Sequence, residues 1–505
     1  MVSPVRRLTR DEMKHTLADL FPASSGAMAG DALPADDQND LGAGARSLIV
    51  SPAWLDGALR TAEAVAAASV SDLPRLLPCA AAPADDACAQ SFIRTFGQRA
   101  YRRPLTADEV TRLTAVHAQG RGNGGFAHGI ELVIQTLLIS PHFLYHLELG
   151  QPGAPVQGRL KLTPYEIAAR VSYTLWGTMP DDMLLASAAR GGLATKAGIA
   201  AEAARLQKDA RGRAPLVDLH RRWLGLDPLD TVVKDPMRYP DFGAPMITAM
   251  KTEVDNFIGG VVDQGGGVNA LLTSTVTTGN ATIAKLYGAK ASGTGDAFAR
   301  LMLDPTQRAG ILTMPATLAV HTFADTSAPV HRGRFVRSRL LCAPVPDPPD
   351  NLMVVAPDVR PGVSARERFA EHSAQPACRA CHEQMDPIGF GFGNYDGIGG
   401  WRDTDAGKPV DASGTISGGT DVDGPFNGVP ELARKLAASE QVGNCVVSTF
   451  VGMTQGPEVA ENQCEMKALR QTYDSAKGDV RALMAGITQL DSFTTRAVLT
   501  GEVLP

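Results

Sequence analysis

Cys378-Arg379-Ala380-Cys381-His382 sets two thiols three residues apart and an imidazole directly after the second. On a helix, positions 378 and 382 stand at i and i+4 on one face with 381 beside them, so all three groups reach one object. This is the attachment pattern for c-type haem, in which both thiols add to the vinyl groups and the histidine supplies the proximal iron ligand. In a chain of 505 residues holding 7 Cys and 10 His, chance rarely produces it. Two rival chemistries use the same residues. A zinc site built from His372, Cys378, Cys381 and His382 is weakened because two of its ligands are adjacent in sequence. A thioredoxin-like redox pair lacks the strand and helix pattern that should surround it. The leading expectation is one covalent haem c, bound through Cys378, Cys381 and His382, with His382 on the metal.

What such a haem does depends on its sixth ligand. A Met or second His closes the iron and leaves a one-electron shuttle; an open position admits peroxide, dioxygen or another small molecule. Met385 lies three residues after His382 on nearly the same helical face, so it is badly placed to reach the opposite side of the iron. The candidates are Met314, Met353, Met453, His321, His331 and His372. His331 with Arg332 is the expected catalytic pair, since a distal imidazole can move a proton while a guanidinium stabilises charge on bound peroxide. The competing reading has both residues hydrogen-bonding loops or a haem propionate. Tyr395 and Trp401 are expected at the cofactor, packing on the macrocycle or offering an electron exit route, although core packing is the commoner role of such aromatics. Asp386 and Pro387 follow closely and are expected to fix the pocket wall, with Pro387 ending the attachment helix.

Other groups carry weaker signals. Asp403 to Gly407 and Asp421 to Gly424 have acidic residues and a Gly at loop spacing, but lack the downstream Glu of a calcium loop, so turn chemistry is the default. His142 and His146 stand at i and i+4 without a Glu at the catalytic zinc spacing.

These groups need elements to position them. Thr9-Arg-Asp-Glu12, Thr106-Ala-Asp-Glu109 and Thr163-Pro-Tyr-Glu166 each pair a Thr N-cap with a Glu three residues on, the reciprocal start signature of a helix. Helical-period runs follow each, and more are expected at 197–224, 245–262, 430–453 and 461–486. Pro22 to Ala45 and Leu73 to Asp86 read as loops, and the Pro-rich stretch 342–350 as an extended linker.

With 44% hydrophobic and 20% charged residues there is ample apolar material for cores, and the length suggests several folding units. Lys+Arg 48 against Asp+Glu 54, a net charge of -6, and no basic block argue against nucleic acid as a partner. No transmembrane span or signal peptide is visible. Because this haem attachment is made outside the cytoplasm, the numbered chain is expected to be a mature or trimmed form of an exported protein. Disulfides are then permissible, and short separations suggest Cys79 with Cys88 and Cys445 with Cys464, leaving Cys342 over.

His372 to Arg402, Ser327-Ala-Pro-Val-His-Arg-Gly333 and Leu340-Leu-Cys342 together resemble the planctomycete-type secreted cytochrome c family, built from consecutive domains of unknown function. Further matching pieces are Arg7 to Glu12, Ala100 to Leu105, Ser140 to Leu144, Leu162 to Glu166 and Gln307 to Gly310, so the resemblance spans nearly the whole chain. Phe450-Val-Gly-Met453 departs from it where an aromatic and a Gly-Arg pair are expected. The resemblance implies a mostly helical, multidomain, exported haem protein of the periplasm or cell surface, and supplies no substrate.

The expectation is thus a mainly α, multidomain helical protein with an embedded cytochrome c-like haem unit and small β or loop elements. Helical regions are assigned to 1–155, 156–230, 231–345 and 426–505, and the haem unit to 346–425. The expected function is that of an exported monohaem c-type cytochrome acting as a haem-dependent oxidoreductase, peroxidase- or oxygenase-like, on an unknown external substrate. The alternatives are an electron-transfer cytochrome whose helical domains dock a redox partner, and a non-enzymatic surface protein with a structural haem or zinc. The roughly 400 residues beyond what an electron carrier needs favour recognition of a substrate or partner.

Overall fold

Thr9, Thr106 and Thr163 each accept a bond from the backbone N–H three residues on, while Glu12, Glu109 and Glu166 reach back to the cap backbone. All three predicted helix starts therefore stand. The computed structural model describes residues 5–21, 32–36, 48, 50–79, 85–290, 295–345, 357–374, 376–460, 462–499, 501–502 and 504. Met353, residues 346–350 of the Pro-rich stretch and most of the loop 22–45 lie outside them. The chain is mainly helical, and the strands among the described residues form only two-stranded antiparallel pairs. No helix among them is long and apolar enough to cross a membrane.

The chain divides into two units. One comprises Met1–Pro215, Val451–Glu465 and Met484–Pro505; the other comprises Leu216–Phe450 and Met466–Leu483. In the first, β1 (Val5–Arg7) leads into α1 (Arg10–Leu20), followed by α2 (Pro52–Ser69), α3 (Asp86–Tyr101) and α4 (Ala107–Leu138). Their apolar faces share one core, with Met13, Leu17, Trp54, Phe92, Ile93, Val133 and Leu137 almost fully buried. Gly125, at φ 85°, kinks α4, a conformation that favours glycine. β2 (Tyr145–Leu147) returns antiparallel to β1, pairing Tyr145 with Arg7. Arg102 ties the seam by donating to the carbonyls of His142, Phe143 and Tyr145. The expected helical run 197–224 breaks at Ala210–Gly212, a single 3₁₀ turn between Lys196–Lys208 and Arg213–Trp223.

In the second unit, α5 (Ala244–Asp263) packs beside β3 (Val276–Gly279) and α6 (Ala281–Tyr287), and β3 pairs antiparallel with β4 (Ala299–Met302). Then come α7 (Pro329–Phe335), α8 (Ala365–Ser373) and α9 (Pro376–Phe390). The hairpin of β5 (Ser413–Ile416) and β6 (Gly424–Asn427) leads to α10 (Gly428–Ala437) and α11 (Glu440–Gln455).

The cysteines divide differently from expectation at one bond. Cys79 pairs with Cys88, but Cys445 pairs with Cys342, and Cys464 is exposed and unpaired. Cys342 sits at φ 47°, just past the turn ending at Leu340, which brings its Cα within 5.4 Å of that of Cys445 on α11. A sequence separation of 103 is no obstacle once the fold has closed, so short separation in sequence is the wrong guide here.

Candidate functional site

Ser364 caps α8 with Glu367 in the same reciprocal arrangement as the other three, and the N–H of Ala365 donates to Asp405 Oδ2 at 2.7 Å. After Gln375, α9 opens with Pro376 at its first position, where the missing N–H costs nothing. One helix thus carries Cys378, Cys381 and His382. Both thiols are unpaired and half-buried. The His382 side chain is 13% exposed, and its Nδ1–H donates to the Asp386 carboxylate, 3.0 and 3.1 Å from its two oxygens. That bond fixes the tautomer and leaves Nε2 as the free lone pair. Burial pushes the Asp386 carboxyl above its ordinary range, and the bond to His382 opposes the rise. The His372 ring meets that of His382 edge to face at 5.0 Å, as two neighbours in contact; burial, then His382 itself, lower its pKa.

The donor set fits a c-type haem: two thiols available for thioether bonds and one imidazole with Nε2 unengaged. It does not fit the zinc alternative. Among the described residues no group of three or more His, Cys, Asp or Glu is placed to hold a metal ion, although His372, Cys378, Cys381 and His382 are all described.

Pro387 does not end α9, which runs on to Phe390. A proline inside a helix forfeits its bond to the carbonyl four residues back, here that of the exposed Glu383, where water can take the place. Packing holds the rest. A Cβ on Gly389 would lie 1.9 Å from the carbonyl oxygen of Pro329, and one on Gly333 would lie 1.9 Å from that of Met385. Glycine at these two positions lets the backbones of α7 and α9 touch.

The expected distal pair is divided by the same contact. Pro329 and Gly333 face α9, so His331, two residues from each, stands on the opposite face of α7. Its ring is exposed and lies 4.5 Å from Phe323. Arg332 is 2% exposed and donates to the carbonyls of Phe392, Tyr395 and Asp396 at 3.1, 2.9 and 2.6 Å. Burial, with Arg402 nearby, lowers its pKa to about 10. Arg332 thereby clamps the turn that follows α9. Within that turn Tyr395 is buried, its hydroxyl donating to Gln307 O and its ring 5.4 Å from Trp401 in a T-shaped pair. Trp401 is half-buried, with Nε1–H on Asp403. Arg308, also buried, lies over the rings of Tyr287 and Tyr395.

Of the other sixth-ligand candidates, Met314 and Met453 are buried. His321 is stacked on Phe335 at 4.2 Å. The acidic loops are committed to structure: Asp405 serves Ala365 and Arg402, Asp421 caps α11 through Glu440, and Asp423 accepts from Gly418 and Gly419. His146 bonds Glu12, and His142 lies between Arg103 and Glu109. A cavity of about 210 Å³ opens beside the end of α9, lined in part by Arg332, Arg366, Phe390, Arg402 and Lys408.

Four family models match the chain in succession. They are PSD3 (protein of unknown function, DUF1587) at residues 6–71, PSD5 (DUF1595) at 88–148, PSD4 (DUF1592) at 162–289 and PSCyt3 (DUF1588) at 308–405. The chain belongs to the planctomycete-type multidomain cytochrome c family. No curated protein and no solved structure matches it. The cytochrome c-like match of this family member runs from Arg308 to Asp405, and so includes Arg332, the whole of α9, Tyr395 and Trp401. Asp386 is signalled as the partner of His382 by its place four residues on, one helical turn away, and the Ser364 cap by the same spacing to Glu367 that marks the other three helix starts.

Proposed function

We propose that the chain is an exported monohaem c-type cytochrome that acts as a haem-dependent oxidoreductase on an external substrate. One observation carries the proposal: Cys378, Cys381 and His382 share one turn of α9, the thiols unpaired and the imidazole oriented by Asp386 with Nε2 free. Cys378 and Cys381 would hold the macrocycle and His382 its iron. Bound haem would supply a one-electron couple and, with an open sixth position, a site for peroxide or dioxygen. In this proposal the haem unit occupies 346–425, between helical regions at 1–155, 156–230, 231–345 and 426–505. The Cys79–Cys88 and Cys342–Cys445 bonds support an oxidising location, the periplasm or cell surface. Arg332 acts here by positioning the turn that carries Tyr395. His331, exposed, remains the residue to test for a proton-transfer role.

A second reading is electron transfer to a redox partner. The contact between buried Tyr395 and half-buried Trp401 favours it, since two aromatic rings 5.4 Å apart make a route toward the surface.

The test is expression with periplasmic haem maturation, followed by the visible spectrum of the dithionite-reduced protein before and after carbon monoxide. Covalent haem that Cys378→Ser and Cys381→Ser reduce or abolish is the expected result; none in the unsubstituted protein refutes both readings. A Soret shift with carbon monoxide favours the oxidoreductase. An unshifted band favours electron transfer, and His331→Ala with unchanged turnover removes His331 from the chemistry.

A further inference from the structure

Asp386 is among the least exposed carboxylates of its unit, at 3%, and both its oxygens face one atom, Nδ1 of His382. The groups acting on its charge are His382 and His372, and no Arg or Lys among the described residues pairs with it. A buried carboxylate whose one hydrogen-bond donor is an imidazole N–H is poorly compensated, because one hydrogen bond does not replace the water it has lost. Arg308 and Arg332 show that this unit buries guanidinium groups elsewhere, yet neither is directed at Asp386. The arrangement makes sense if the balancing positive charge arrives on the other nitrogen of the same ring. A metal ion on Nε2 is that charge, and carboxylates behind metal-bound histidines raise the basicity of the ligand.

We infer that Asp386 is a positioning residue which, through Nδ1 of His382, biases a haem iron bound at Nε2 toward the ferric state and lowers its reduction potential. The inference rests on the haem reading above. The couple takes up one electron at the iron; the Nδ1 proton stays on His382 and no bond forms or breaks there. The carboxylate favours the form with the extra positive charge, and it does so more strongly because it is buried. A backbone carbonyl in the same place would orient the ring equally well and add no charge. The low potential also suits the substrate class: such a haem gives its electron readily to an oxidised acceptor such as peroxide or dioxygen, and draws one poorly from a high-potential donor.

The test is a spectroelectrochemical titration of purified holoprotein against its Asp386→Asn variant, which keeps the shape and an acceptor oxygen but removes the charge. At a fixed ambient potential near the midpoint, the ferrous to ferric ratio of the variant is expected to rise about tenfold, which is 59 mV for a one-electron couple. A ratio changed less than about twofold, some 18 mV on the same scale, overturns the inference while leaving the haem reading intact. Absence of haem from the unsubstituted protein would instead sink the haem reading itself. If Asp386→Asn yields no holoprotein, the unsubstituted protein decides the matter by NMR in its diamagnetic ferrous form. There the His382 Nδ1 proton should exchange slowly and its ¹⁵N shift should lie toward imidazolate. Values equal to those of a haem peptide carrying the same Cys-x-x-Cys-His turn, which lacks Asp386, overturn the inference.

Discussion

Replacing Arg332 by Met keeps the length of the stem and removes every donor, so Tyr395 O and Asp396 O lose the bond from the guanidinium and Phe392 O keeps only the N–H of Tyr395. Hydrogen bonds from a charged donor contribute roughly 1.5–3 kcal/mol each, so three of them contribute about 4.5–9 kcal/mol. Against this stands the cost of burying the guanidinium: its displacement from 12.5 to about 10 corresponds to roughly 3 kcal/mol. The net loss expected for Arg332→Met is therefore about 2–6 kcal/mol. In a unit of this size it lowers the melting temperature by about 10 °C. Calorimetry of the full chain reads it. Arg332→Lys, with one donor nitrogen in place of a fork, should fall between. A melting temperature within about 2 °C of the parent would refute the clamp. Retained stability with lost turnover in Arg332→Lys would return Arg332 to the chemistry.

Cys342→Ser should cost up to about 4.7 kcal/mol, the chain-entropy value for a loop near 100 residues, whereas Cys464→Ser should be silent; thermal melts and non-reducing peptide maps check both. Gly389→Ala forces a methyl against Pro329 O and should destabilise by about 1–3 kcal/mol or more, read by denaturant midpoint. Glu253 is fully buried, accepting from Tyr287 and Thr277, and burial pushes its carboxyl up to about 7. An acid with a raised pKa favours the folded state most when protonated. Its contribution is complete below about pH 4.5 and is lost as pH rises through 7, a fall of roughly 3 kcal/mol. Glu253→Gln should flatten that window in melts taken from pH 4.5 to 8, and an unchanged slope would show that another group titrates there.

What the sequence disclosed was whatever depends on local spacing. The Thr and Glu pairs at 9/12, 106/109 and 163/166 name their helices because a cap and its partner are three residues apart, and Cys378, Cys381 and His382 share a turn for the same reason. Pro387 misled because a proline's helix-breaking cost was read without the packing of Gly389 on Pro329 that offsets it. The non-local facts were illegible. That Arg332 faces three carbonyls some 60 residues on, and that Cys342 meets Cys445, depends on how α7, α9 and α11 pack. A Cys or Arg in the sequence does not show which distant group it faces. Asp386 is the intermediate case, a local partner whose meaning appears only once its burial is known.

The Cys342–Cys445 bond changes what a break in the chain means. It draws residues 343–444 into a covalent ring that contains α8, α9 and the Arg332-clamped turn. A protease that cuts one peptide bond anywhere in that ring opens it without dividing the molecule. The attachment helix and any group bound to it then stay with both ends of the chain until a reductant acts. A single nick there would leave the electrophoretic size unchanged without thiol and divide it only with thiol.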